Sequence, residues 1–206
     1  MYLYAFCSGN ESEHIVAIDG IAALGKLEVQ SLQVLVDDEY IKKTAKMEFN
    51  DQLRKDIRIA GNEKAYAILE LCRKKEIEMG ATIVVGSEES DYPALDLVRD
   101  SDGLALAFNG TEYAVRGSNV AIIDENPITV AVLSMEFYNG GIESVYNMID
   151  HWTIEELRDH PCADRNLMNM FLAQFPERLP EVYKVDDDNL KDVTVKSAAF
   201  RKRILV

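Results

Sequence analysis

The 206-residue chain sets 22 Lys and Arg against 36 Asp and Glu, a formal net charge of −14, with 48% hydrophobic and 28% charged residues. That apolar share supports one globular core and is too high for a disordered chain, while charges interrupt every run long enough to cross a bilayer. The negative balance repels a phosphate backbone, and the basic cluster Arg201, Lys202 and Arg203 is too small to reverse it, so nucleic acid is not an expected partner.

The chain opens on an apolar run at residues 2–6, with no basic leader or cleavage-type sequence, which reads as a buried strand of a cytoplasmic protein. A helix is expected around residues 11–24 and a strand at 32–36. A longer helix at about 63–78 carries Ala65, Ile68, Leu69 and Cys72 on one face, and Arg73, Lys74 and Lys75 in its last turns, where cations suit the helix dipole. Short β-rich runs at 82–85, 104–108 and 120–123, bounded by Gly, Ser, Asn or Asp, read as strands covered on both faces, with a helix at about 92–98 after the first of them. This alternation predicts a mostly parallel sheet with helices on both sides.

Beyond residue 124 the pattern changes. Asn126 and Pro127 mark a helix start, the apolar run that follows stops at Gly140 and Gly141, and Thr153 with Glu156 forms a capping box. The segment 135–206 is therefore expected to be a helical extension without strands, and Asp186, Asp187 and Asp188 a solvated turn. Cys7, Cys72 and Cys162 are widely spaced and odd in number, which suits a reducing compartment; the His160–Cys162 spacing is read as a loop feature, not a zinc site.

In an open α/β sheet, ligands bind at the carboxyl ends of the strands. The residues there are Cys7, Ser8 and Gly9 after the first run, Asp37 and Asp38 after the second, residues 86–91 after the third, and Asn109 with Gly110 after the fourth. They form a polar, acidic rim with small residues. No phosphate-loop, dinucleotide or nucleophile-elbow fingerprint is present.

The order of these motifs is more informative than any one of them. The stretch from Val84 through Gly86, Ser87, Glu88, Glu89, Ser90, Asp91, Tyr92 and Pro93, followed by Gly103, the run 104–108, Asn109 and Gly110, resembles the fourth motif and next strand of the haloacid dehalogenase superfamily, in its archaeal phosphatase-type branch. The resemblance covers roughly residues 1–135. It implies a three-layer Rossmann-like core over residues 1–134 and Mg²⁺-dependent phosphoryl chemistry through an aspartyl-phosphate. It further implies that Ser8 and Lys64 contact a phosphoryl group, that Asp91, with Glu88 beside it, holds the metal, and that Asn109 and Gly110 border the ligand. It also places a short helix after Asn109 and Gly110, where the local sequence alone reads as a hairpin turn.

Two departures weigh against activity. Ser87 stands where the fourth motif has its first acid, and the DxDx[TV] motif that supplies the nucleophile is missing. In one alignment it would lie before Met1; in another it has decayed at residues 14–21, where Asp19 and Gly20 remain but Ala17 occupies the nucleophile position. Alanine cannot form an acyl-phosphate. The expectation is a non-catalytic interaction, regulatory or phospholigand-binding protein, the alternative a Mg²⁺-dependent phosphohydrolase whose nucleophile comes from another chain. A missing central strand further predicts that the 2–6 strand pairs directly with the 82–85 strand, or that a homodimeric or heteromeric partner fills the gap.

Overall fold

The computed structural model describes residues 61–161 and 164–204, and the backbone alone of residues 2–9 and 12–19. Strands β1 (Tyr2–Gly9) and β2 (Ser12–Asp19) form an antiparallel pair in which Tyr2 faces Asp19 and Gly9 faces Ser12. The helix expected at 11–24 is thus overturned over 12–19. Ile15, Val16 and Ile18 form a β-branched run, and such side chains favour a pleated strand over the crowded surface of a helix. The strand expected at 32–36 lies outside the described residues.

Helix α1 (Asn62–Lys75) leads to β3 (Ile83–Gly86), a single 3-10 turn (Glu89–Asp91) and α2 (Tyr92–Arg99). Then come β4 (Leu104–Phe108), α3 (Glu112–Gly117) and β5 (Val120–Ile123). Asn109 takes a left-handed φ of 48°, and Thr111 accepts a hydrogen bond from the Ala114 N–H, so the chain turns into α3 and not into a hairpin. Helix α4 (Ile128–Asp150) follows Pro127 and breaks at Gly141, whose φ of 70° and ψ of −167° leave the helical region. Helices α5 (Ile154–Asp159) and α6 (Arg165–Gln174), strand β6 (Glu181–Lys184) and helix α7 (Leu190–Ile204) complete the described chain. Thr153 caps α5 through the Glu156 N–H at 3.2 Å, as its sequence predicts.

The protein is α/β, with a four-stranded, mostly parallel sheet in the order β3-β4-β5-β6. The first three strands are parallel, and β6 is antiparallel to β5 with Val120 facing Lys184. Strand β6 corrects the expectation that residues 135–206 hold no strand. All four of its residues are half-buried, so the polar–apolar run Glu181-Val182-Tyr183-Lys184 gives a weak signal of the kind edge strands give.

Side-chain alternation along the strands sorts them onto two faces. Ile83, Leu104, Leu106, Val120 and Ile122 join α4, α5 and α6 through Leu133, Phe137, Met148, Leu157 and Phe171. Val84, Ala105, Ala107 and Ala121 face the other way, against Ile68 of α1, Leu95 and Val98 of α2, Val115 of α3 and Val193 of α7. Alanines on that second face let the helices approach closely. Burying each large aliphatic side chain contributes about 1.5–3 kcal/mol. The direct pairing expected between β1 and β3 is not formed: β1 comes within 8 Å of β3 between Cα atoms but shares no ladder with it.

Candidate functional site

At the carboxyl end of β3 the chain makes a tight loop, from Gly86 to Asp91, that folds back over its own strand. A Cβ built on Gly86 would lie 2.6 Å from the Asp91 Cβ, well inside van der Waals contact, so only glycine admits the aspartate beneath the loop. Asp91 is 2% exposed. Its Oδ2 accepts the Ser87 N–H at 2.8 Å and the Glu88 N–H at 2.9 Å, and its Oδ1 accepts the Lys64 Nζ at 2.7 Å. Lys64, also 2% exposed, donates a further hydrogen bond to Ser90 Oγ at 3.0 Å. The start of α1 is anchored to the same loop by the Gly61 N–H, which donates to the Ser90 carbonyl at 3.1 Å.

The structure therefore brings Lys64 and Asp91 together, but turns them toward each other and the loop backbone. Two charges buried side by side stabilise only when their remaining polar valences are met, and the two N–H groups on Oδ2 meet those of the carboxylate. Glu88, the second expected metal ligand, points the other way, toward α7. Arg201 Nη2 donates to Glu88 Oε1 at 2.7 Å, while Nη1 donates to the carbonyls of Asn109 at 2.7 Å and Ser87 at 3.3 Å. Ser197, one turn earlier on α7, donates to the Gly110 carbonyl at 2.6 Å.

Mg²⁺ was the cofactor implied by the motif. The residues present do not fit it: an ammonium and two amide hydrogens surround the Asp91 carboxylate, and a guanidinium holds Glu88. Among the described residues no group of three or more His, Cys, Asp or Glu is placed to hold a metal.

Asn109 and Gly110 lie at the strand ends as expected, with structural work to do. Asn109 Nδ2 donates to the Asp124 carbonyl at 2.7 Å, and its Oδ1 accepts the Asp124 N–H at 3.0 Å, which joins the ends of β4 and β5. Ser8, expected just after the first strand, falls within β1 and faces Glu13 in its ladder.

Beyond β5, Asp124 is buried with no cation beside it among the described residues. Its Oδ2 accepts the Thr129 hydroxyl at 2.7 Å and its Oδ1 the Asn126 N–H at 3.1 Å. Burial pushes its pKa above the ordinary carboxylate value, against the opposing pull of those hydrogen bonds. It borders a cleft of about 700 Å³ that Phe175, Phe200, Arg178 and Arg203 also line. An open groove of about 550 Å³ lies beside Ser90, where Tyr92 and Tyr113 meet edge to face with centroids 6.4 Å apart.

Two features were not visible in the sequence. Arg201 was noted only as part of a basic cluster, because its partners lie 92 to 114 residues away in the chain. Ser144 donates to the buried Glu136 across the Gly141 break, and His160 Nε2 lies 3.9 Å from the same carboxylate. The Asp186 run is an exposed turn, as its sequence predicts, in which Asp186 Oδ1 accepts the N–H groups of Asp188 and Asn189 at 3.0 and 2.8 Å.

The chain is similar to a solved structure, the gene product AF1437 from Archaeoglobus fulgidus, with a TM-score of 0.54 and 24% identity. The match covers 82% of this chain and 47% of that one, so the chain spans about half the length of this neighbour. A likeness at this identity shows the α/β fold. No protein-family model matches the chain, and no curated protein does. Among the described residues no helix is long and apolar enough to cross a membrane.

Proposed function

We propose that the chain is a phosphatase-related, haloacid dehalogenase-like domain with a three-layer Rossmann-like core, and that it works without catalysis as an interaction or regulatory module in the cytoplasm. The observation that carries this reading is the mutual capture of Lys64 and Asp91. The two groups that would neutralise phosphoryl oxygens and hold a metal are turned inward, each about as buried as a core residue. An ammonium locked 2.7 Å from a carboxylate cannot turn outward to a ligand without abandoning a buried charge, at a cost of about 3–5 kcal/mol. Ser87, where the family has an acid, supports the same conclusion, as does Ala17 in the alignment that puts the first motif at residues 14–21.

Such a module would act through its surface. The test is a phosphomonoester assay on the purified chain with Mg²⁺, using p-nitrophenyl phosphate. No turnover above buffer is expected. Turnover that Asp91→Asn abolishes in a folded variant would overturn the reading and favour the phosphohydrolase alternative.

A further inference from the structure

Helix α7 is fastened over the carboxyl ends of β3 and β4, and the face it turns inward is largely polar. Leu190, Val193, Thr194, Ser197 and Arg201 recur at helical spacing, which puts them on one side of the helix. Ser197 donates to the Gly110 carbonyl at 2.6 Å, and Arg201 forks onto the Asn109 carbonyl and the Glu88 carboxylate, both at 2.7 Å. Thr194 Oγ1 is buried with no hydrogen-bond partner among the described residues. A further tie, from Lys196 Nζ to the Tyr183 hydroxyl at 2.7 Å, is exposed. Among the described residues, Val193 is the one apolar side chain of this helix that is fully buried. Helix α4, on the other face of the sheet, buries Leu133, Phe137, Val145 and Met148.

The two helices therefore differ in what their release costs. Lifting α4 would return large apolar side chains to water, the most costly exchange a core can make. Lifting α7 returns few: the Ser197 hydroxyl and the Arg201 guanidinium trade protein acceptors for water, and the Thr194 hydroxyl gains a partner that the closed helix denies it. We infer that α7 is a detachable cover, which lifts as one unit about the exposed turn at residues 186–188 while the sheet stays folded. In an open α/β sheet ligands are received at the carboxyl ends of the strands, and the closed helix occupies that edge at β3 and β4. Lifting it bares the Asn109 and Gly110 carbonyls and frees Glu88. The claim concerns the motion of α7 and not turnover, so it stands or falls separately from the non-catalytic reading.

The test is native-state hydrogen exchange of the full chain, read on peptides by mass spectrometry and corrected for intrinsic rates, with circular dichroism to establish folding. The hydrogen-bonded amides of α7 should exchange together, at least about 10-fold faster than those of β4, as a unit that opens below the global unfolding free energy does. Arg201→Met should speed α7 exchange by about 2- to 5-fold, the range of a partly solvated ion pair, and leave β4 unchanged. Thr194→Val removes the orphaned hydroxyl while keeping its shape, so it should act the other way and slow α7 exchange by about 5-fold or more. Ser197→Ala, with the same expected direction as Arg201→Met, replaces that variant if it fails to fold. Exchange of α7 at the β4 rate would overturn the proposal, as would fraying from Ile204 inward that leaves residues 193–197 at the β4 rate. Variants that move α7 and β4 equally, or that leave α7 unmoved, would overturn it too.

Discussion

Two ion pairs flank one six-residue loop, and they do different work. Lys64 and Asp91 are each 2% exposed, whereas Arg201 and Glu88 are 21% and 42% exposed. Both pairs close at 2.7 Å. Distance therefore does not rank them; the surroundings do. Water screens the outer pair and competes for its hydrogen bonds, while the inner pair is shielded from it. The inner pair fixes the loop to α1, and the outer pair fixes α7 to the loop.

The largest effect that could break this comparison is the removal of Asp91. Asp91→Ala takes the buried carboxylate from Lys64 and leaves the Ser87 and Glu88 amides without their acceptor, so urea unfolding should show a loss of about 3–5 kcal/mol. A loss below about 1 kcal/mol, the range of an exposed pair, would mean the inner pair is no more structural than the outer one. Adding Lys64→Met to Asp91→Ala removes the buried ammonium, and this double variant should recover about 1–3 kcal/mol relative to Asp91→Ala alone. Full additivity of the two single losses would contradict direct coupling.

Arg201→Met should lower stability by no more than about 1 kcal/mol, because its ion pair is partly solvated. Salt sharpens the contrast: raising NaCl from about 0.1 M to about 1 M shortens the Debye length from about 10 Å to about 3 Å and should shrink the Arg201→Met effect while leaving that of Asp91→Ala nearly unchanged. Equal salt sensitivity of the two variants would erase the distinction.

The smallest effect concerns Asp124, a buried carboxylate that has hydrogen bonds but no cation. Its folded-state pKa is raised, chiefly by burial, so above the ordinary value of 3.8 the folded state holds more protons than the unfolded one. The stability this group contributes is complete below that value and is lost as pH rises through the folded-state pKa. Asp124→Asn removes the titration, and the difference between wild-type and variant stabilities, followed from pH 3.8 upward, should move in the variant's favour as pH rises. A difference that moves the other way would show that the hydrogen bonds from Thr129 and Asn126 outweigh burial.

Much of the sheet was legible because β3, β4 and β5 are buried on both faces, and a strand covered on both sides shows as an uninterrupted apolar run. The α1 helix, the break at Gly141 and the cap at Thr153 were legible for a similar reason: local chemistry decides them. Strand β2 was not, since Glu11, Ser12, Glu13 and His14 suggested a polar helix start and masked the β-branched residues that follow. Strand β6 escaped because it is short and half-buried. At the site, the sequence named Lys64, Asp91 and Glu88 but not their partners. Pairing at separations of 27 and 113 residues is a property of the folded topology, and no spacing rule encodes it.

Gly86 and Asp91 also constrain how this sequence can drift. An alanine at 86 meets the Asp91 side chain at 2.6 Å, so a change there is tolerated only after position 91 has shrunk. Shrinking position 91 first takes the carboxylate partner from the buried Lys64 ammonium. A change at any one of the three positions is therefore felt at the others. A collection of related sequences should therefore show 64, 86 and 91 changing together or not at all, while Glu88 and Arg201 exchange more freely at the rim.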